Sequence, residues 1–109
     1  MRLSPSHPRL CLVTAPNLRV ARRLAAKALE LRAAACANLV PGLESIYRWK
    51  GRIHRDPEIL ILFKTTARNV PRLERCILEN HPYDTPEFLV LTPAAGNRRY
   101  LDWIRENCN

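Results

Sequence analysis

Residues 35–66 read ACANLVPGLESIYRWKGRIHRDPEILILFKTT, two long apolar segments joined by a single tight-turn candidate at Lys50-Gly51. The pattern predicts one oversized β-hairpin. A straight arm from Cys36 to Trp49 would reach roughly 46 Å at about 3.3 Å per residue, whereas a compact domain of this length is about 34 Å across. Pro41-Gly42 can bend the arm, because proline lacks a backbone donor and glycine permits unusual dihedral angles. The apolar tip still requires a cover, and another copy of the chain is the simplest one.

The segments around the hairpin predict an alternation of strands and helices. A short apolar strand at Leu10–Val13 precedes a helix that Asn17 caps. A second helix begins near Pro71 and stops before Pro82, a strand follows at 88–91, and a short helix occupies 100–107. This order is the split βαβ plan of a ferredoxin-like α+β fold, with helices on one face of an antiparallel sheet. The other sheet face is then bare, which favours association with further copies.

Length and composition predict one soluble domain. A chain of 109 residues has room for a single core, and its apolar runs are much shorter than the roughly 20 residues of a membrane helix. We expect a short flexible start at residues 1–8 and a single domain at 9–109. The start lacks the apolar segment of a secretory signal, which predicts a cytoplasmic protein. The cysteines are separated by 25, 40 and 32 residues, a spacing that does not indicate structural zinc.

The net charge of +8 is concentrated in the first half of the chain. Residues 1–55 hold eleven Lys or Arg against two acids, and residues 56–109 hold seven against eight. A solvated basic surface and a site for an anionic partner both explain this excess. An RNA-binding sheet would carry aromatic and basic residues along its central strand, whereas Glu58–Phe63 is aliphatic and suits burial. We therefore expect neither nucleic acid nor a membrane as a partner.

Four segments stand out as motifs: Ala33–Gly42, Ser45–Gly51, Glu79–Glu87 and Ala95–Glu106. Taken in order, they resemble the CutA divalent-cation tolerance protein family over nearly the whole chain. The resemblance implies a ferredoxin-like subunit in a stable homotrimer with clefts between subunits, acting in the response to metal ions. Copper or another divalent cation is the ligand that it implies. In overall plan such proteins are also similar to the PII signalling regulators, which bind small anionic ligands in their intersubunit clefts.

The resemblance implies one set of metal ligands, namely Cys36, Cys76 and His81. Thiolate and imidazole together suit copper. Members proposed to bind copper also have a cysteine directly before Thr14, where this chain has Val13. Cys76 and His81 are five residues apart, so they can share an ion only if the helix ends between them.

A second set combines aromatic and charged residues that match family motifs and suit a ligand cleft. Lysine and tyrosine can hold an anionic group, while tryptophan forms an apolar wall. Glu87 enters a strand and needs a partner there, for which Lys64 or an arginine of another subunit is predicted. Structural roles stay open, with Trp49, Tyr100 and Trp103 as interface or core anchors and Glu87 in a structural ion pair. The predicted cleft residues are Trp49, Lys64, Tyr83, Glu87, Tyr100 and Trp103.

Catalytic motifs are not found in the sequence. An enzyme would use His81, Tyr83 and Glu87 as acid and base groups, but no nucleophile or cofactor motif accompanies them. The chain also departs from the family in its last strand, where Pro93 comes one residue late and alters the backbone donors of the following loop. We therefore predict a binding protein without enzymatic activity.

Overall fold

The computed structural model describes residues 4–109 and contains four strands and three α-helices in the predicted order. The strands are β1 (Pro8–Ala15), β2 (Cys36–Trp49), β3 (Arg52–Thr66) and β4 (Leu89–Leu91); the helices are α1 (Leu18–Glu30), α2 (Val70–Asn80) and α3 (Arg98–Glu106). The strands form one antiparallel sheet in the order β2-β3-β1-β4. The predicted ferredoxin-like α+β fold is confirmed.

The long hairpin is formed by β2 and β3, with β3 in the interior of the sheet. Lys50 and Gly51 both have positive φ angles, +51° and +77°, as the two central residues of a type I′ turn require. The register shifts between Val40 and Leu43, where Gly42 has a φ of +82°. The bend predicted at Pro41-Gly42 is therefore present. The subunit that contains this ribbon measures 42 × 30 × 23 Å.

The main core lies between the sheet and helices α1 and α2. Alternate residues of β1 and β3, among them Val13, Ile61 and Phe63, are fully buried against Leu24 of α1 and Leu73 of α2. Helix α1 begins where predicted, because Asn17 Oδ1 accepts a hydrogen bond from the Val20 amide at 2.9 Å. The helices therefore cover one face of the sheet.

The opposite face contributes no residue to this core among residues 4–109. Directly paired strand residues point to the same side, which places Leu12 beside Leu62, and Leu10 beside Lys64. Strand β4 adds Leu89 and Leu91, which are 56% and 47% exposed. We call this surface the open face; its large apolar residues include Leu10, Leu12, Val40, Leu60, Leu62, Leu89 and Leu91. It is the bare face that the element order predicts.

The predicted flexible start at residues 1–8 falls partly on residues 1–3, which lie outside the described residues. Strand β1 begins at Pro8, whose side chain is fully buried. Just before it, the carbonyls of Pro5 and His7 accept hydrogen bonds from the amides of Arg68 and Ala67. These bonds fasten the segment to the turn that precedes α2.

Candidate functional site

A cavity of about 640 Å³ lies between the hairpin and the segment that joins α2 to β4. One wall is formed by hairpin residues, among them Ile46, Tyr47 and Trp49, and the other by residues 83–87. Glu58 and Thr14 also line it. We call it the hairpin cavity. Its volume is typical of sites for small molecules.

His81 fixes the loop that forms the second wall. Helix α2 ends at Asn80, because the residue before Pro82 is pushed out of the helical region. Both ring nitrogens of the buried His81 are occupied: Nε2 lies 2.7 Å from the Thr14 carbonyl, and Nδ1 accepts from the Tyr83 amide at 3.1 Å. Since Nδ1 is an acceptor, the proton is on Nε2, which donates to Thr14. The loop is thereby attached to the end of β1.

Three carboxyl side chains, those of Glu58, Asp84 and Glu87, line the cavity. The hydroxyl of Tyr83 donates to Oε2 of Glu58 at 2.7 Å, and Glu58 is only 8% exposed. Burial, and next the hydrogen bond to Glu58, raise the pKa of Tyr83 well above its usual value. Partial burial, and next the charge of Glu58, raise the pKa of Glu87. The charge of Glu58 therefore opposes the ionisation of Glu87, and no Lys or Arg is among the residues, within 4–109, that line the cavity.

The hairpin wall is held in place by interactions within the ribbon. Tyr47 stacks on His54, its directly paired residue, with ring centroids 5.5 Å apart. The Tyr47 hydroxyl also donates to Oδ2 of Asp56. Although Tyr47 and Trp49 are 41% and 42% exposed, the Tyr47 ring has little freedom to turn away from the cavity.

Three of the six predicted cleft residues, Trp49, Tyr83 and Glu87, line this cavity. Lys64 does not, because it lies six residues from Glu58 along β3, where its Nζ donates to Oδ1 of Asn38. The ion pair predicted between Lys64 and Glu87 is not formed within the subunit, where the one ion pair of residues 4–109 joins Arg105 to Asp102. The alternative partner, an arginine of another subunit, stays a prediction.

Tyr100 and Trp103 form an aromatic pair on α3 away from the cavity lining of the same subunit. Their rings stack with centroids 5.8 Å apart, and they are 43% and 40% exposed. Residues three apart meet on one side of a helix, which explains the stack. The pair presents a flat apolar surface on the outside of the subunit.

The three predicted metal ligands are dispersed in the subunit. Cys36 lies on the open face opposite Lys64, and its thiol donates to Asn38. Cys76 is buried in the core beneath the other face, where burial raises the pKa of its thiol. His81 uses both ring nitrogens as described above. Within residues 4–109 no three His, Cys, Asp or Glu side chains form a group that could hold a metal ion, so the ligand set stays a prediction.

Several residues of the cavity lining lie outside the predicted set, and Tyr47, Glu58 and Asp84 are three of them. The position of Tyr47 could have been predicted from the hairpin register, because a turn at 50–51 places residue 47 directly opposite His54. Glu58 has no comparable local signal. Its partner Tyr83 is 25 residues away in the chain, and only the tertiary fold brings the two together.

Comparisons with known proteins point to one family. The family model described as "CutA1 divalent ion tolerance protein" matches residues 9–107 of the chain. A curated divalent-cation tolerance protein CutA of Thermus thermophilus is 51% identical over 96 residues, which are 88% of this chain and 93% of the relative. Neither description names a catalytic activity.

Solved structures support the same assignment. The divalent cation tolerance protein from Thermus thermophilus has a TM-score of 0.91 at 48% identity and covers 94% of this chain and 99% of its own. A protein from Archaeoglobus fulgidus, described as a periplasmic divalent cation tolerance protein CutA, has a TM-score of 0.88 at 31% identity, covering 92% and 97%. The resemblance noted from the motifs is thus confirmed, and the chain belongs to the family of CutA1 divalent ion tolerance proteins.

Proposed function

We propose that the chain acts as a homotrimer in the response to metal ions and that its hairpin cavity takes up a divalent cation. The observation that carries this proposal is the presence of three acids, Glu58, Asp84 and Glu87, in a cavity whose lining, within residues 4–109, includes no basic side chain. Partial burial first, and the charge of Glu58 second, raise the pKa of Glu87, so its ionised form is in conflict with Glu58. A cation between them would remove that conflict. The charge of the cavity therefore favours a cation over an anion.

The ligand atoms favour a hard ion. Carboxylate and hydroxyl oxygens suit Mg²⁺ or Mn²⁺ better than copper in its soft, reduced form. Because the described residues of one subunit do not supply three grouped metal ligands, water or a neighbouring subunit would complete the coordination. Mg²⁺-type ions are commonly held by one or two carboxylates and keep several waters.

Two other ligands have less support. Copper at Cys36, Cys76 and His81 would require ligands from different subunits, because the two thiols of one subunit lie on opposite faces of the sheet. A small anion, as in PII-like proteins, would meet three acids in the cavity. Neither reading requires a catalytic group, and we propose a binding protein, not an enzyme.

The homotrimer is proposed because a single subunit leaves much apolar surface in water. Beside the open face, Ile46 and Ile53 on the hairpin are 60% and 59% exposed. Patches of this extent commonly mark an interface, and three copies is the number that the family resemblance implies. A neighbour seated at the hairpin tip would also close the cavity and add residues of its own. The exposed pair Tyr100 and Trp103 is the candidate for that role.

We further propose a cytoplasmic protein that binds neither nucleic acid nor a membrane. No helix of the described part of the chain is both long and apolar enough to cross a bilayer. Apart from Lys64, the open face carries leucines on its interior strands and none of the aromatic side chains, within residues 4–109, on which RNA bases stack. The Archaeoglobus fulgidus relative is described as periplasmic, and fractionation of the native host cell would decide the compartment.

Isothermal titration calorimetry with MgCl₂, MnCl₂ and CuCl₂ tests the cation site. We expect the wild type to bind a divalent ion and Glu87→Gln to lose affinity by about tenfold or more, because one charged ligand is removed. Glu44→Gln, at an exposed hairpin carboxylate outside the cavity, should bind like the wild type. Absence of binding, or equal affinity of wild type and Glu87→Gln, would overturn the proposal. Copper binding that survives Glu87→Gln but not Cys36→Ser would favour the thiol set.

A further inference from the structure

We propose that the hairpin cavity also binds a small organic cation, a primary ammonium with an apolar tail, in competition with the divalent ion. This inference rests on the proposed cation site and names a second class of ligand for it. The shared groups are the carboxylates of Glu58 and Glu87. The part of the cavity that distinguishes the two ligands is its apolar wall, formed by Ile46, Tyr47 and Trp49.

The size of the cavity indicates an organic ligand. Its volume of about 640 Å³ lies within the range of about 300–1,000 Å³ that is typical of small-molecule sites. A metal ion held between two carboxylates would occupy one end of such a space. The remainder is bounded by the hairpin wall and, across from it, by Tyr83 and Pro86. This arrangement suits a hydrocarbon or aromatic tail.

The aromatic wall is already in position. Tyr47 is held by its stack on His54 and its hydrogen bond to Asp56, and Tyr83 by its hydrogen bond to Glu58. An aromatic ring face attracts a cation through its quadrupole. Walls that do not have to be ordered on binding also reduce the entropic cost of association. The cavity therefore combines cation–π and apolar contacts with little rearrangement.

The polar groups match an ammonium head. Within residues 4–109, the one side-chain hydrogen bond of Glu58 uses Oε2, so Oε1 is left for a donor from a ligand. Glu87 and the Ser45 hydroxyl line the same cavity. A primary ammonium carries three donors and a positive charge, which can satisfy these three acceptors. A neutral molecule of the same shape would leave the acidic pair uncompensated.

Fluorescence titration of the Trp103→Phe protein tests the inference, because Trp49 is then the single tryptophan and lines the cavity. The probes are 2-phenylethylammonium chloride and the neutral near-isostere 2-phenylethanol. We expect the ammonium to bind at least about tenfold more tightly, since charge-assisted hydrogen bonds are the stronger ones. MgCl₂ or MnCl₂ should raise its apparent Kd competitively. Equal affinity for both probes, or no saturable change, would overturn the inference.

Calorimetry of wall variants separates this inference from the proposed function. Trp49→Ala retains the carboxylates of the cavity and, in samples whose native mass equals that of the wild type, should weaken ammonium binding about tenfold and divalent-ion binding much less. Ile46→Ser, at a side chain that is 60% exposed and dispensable for the core, should act in the same direction. If both wall variants lost their affinity for the divalent ion, the carboxylates and the apolar wall would not act separately. That result would contradict the inference. Wild-type protein that binds the ammonium but no divalent ion overturns only the proposed function, and the reverse result overturns only this inference.

Discussion

At the scale of single residues, the pKa of Glu87 reflects the burial and the charges in the cavity. Its pKa is raised on folding, by partial burial first and by Glu58 second. A carboxyl with a raised pKa stabilises the fold below its unfolded-state pKa, and this contribution is lost as the pH rises through the folded-state pKa. The wild type therefore loses stability relative to Glu87→Gln as the pH rises. We expect the difference in the free energy of unfolding, Glu87→Gln minus wild type, to increase from weakly acidic to neutral pH.

Denaturant unfolding at several pH values, in buffer without divalent ions and at fixed protein concentration, checks this expectation. Glu44→Gln is the matched control, since Glu44 is exposed and lies outside the cavity; its difference from the wild type should change much less with pH. A difference for Glu87→Gln that is constant or falls towards neutral pH would contradict the environment described for Glu87.

Single residues are predictable from the sequence where the partner is local. Asn17 caps α1 as expected because its bond to Val20 spans only three residues. Family motifs assign Trp49 and Tyr83 to a common cleft, and both line the cavity. Lys64 is predicted near Glu87, but it lies six residues along β3 from the cavity residue Glu58. Such pairings depend on how distant segments meet, which no local pattern encodes.

At the scale of elements, the bend in β2 is a specific consequence of Gly42. Its φ is +82°, and a Cβ added there would meet no atom within 4 Å. The cost of Gly42→Ala is therefore backbone strain alone, and we expect a loss of about 1–2 kcal/mol in the free energy of unfolding. Lys50→Asn is the counterpart at another positive φ, where asparagine is preferred in a type I′ turn, and should be neutral or stabilising. Denaturant unfolding of both variants measures these changes; an unaltered Gly42→Ala protein would contradict the bend.

The elements themselves are readable from the sequence, whereas their ends are not. Strand β1 extends to Pro8 and Ala15, beyond the apolar run 10–13, because every residue from 8 to 15 pairs with β3. Helix α3 begins at Arg98, earlier than expected, because Asn97 Oδ1 accepts from the Tyr100 amide at 3.0 Å and caps it. Strand β4 stops at Leu91, two residues before Pro93, which lacks a backbone donor. Strand pairing and helix caps determine where these elements end, and the periodicity of apolar residues contains no information about either.

At the scale of the whole molecule, the open face and the hairpin are the two features that support the proposed homotrimer. The hairpin tip is apolar and exposed at Ile46, Trp49 and Ile53, and β2 and β4 are both edge strands. Edge strands and bare apolar faces are normally covered or paired. Association would bury these surfaces together and enclose the hairpin cavity. The stability of the fold and the ligand site would then depend on the same assembly.

Native mass spectrometry of the wild-type protein tests this central claim most directly. Three chains are expected in one particle, with a mass three times that of the 12.6 kDa chain, and the trimer should persist on dilution to low micromolar concentration. A well-folded protein that is detected only at the mass of a single chain would contradict the account.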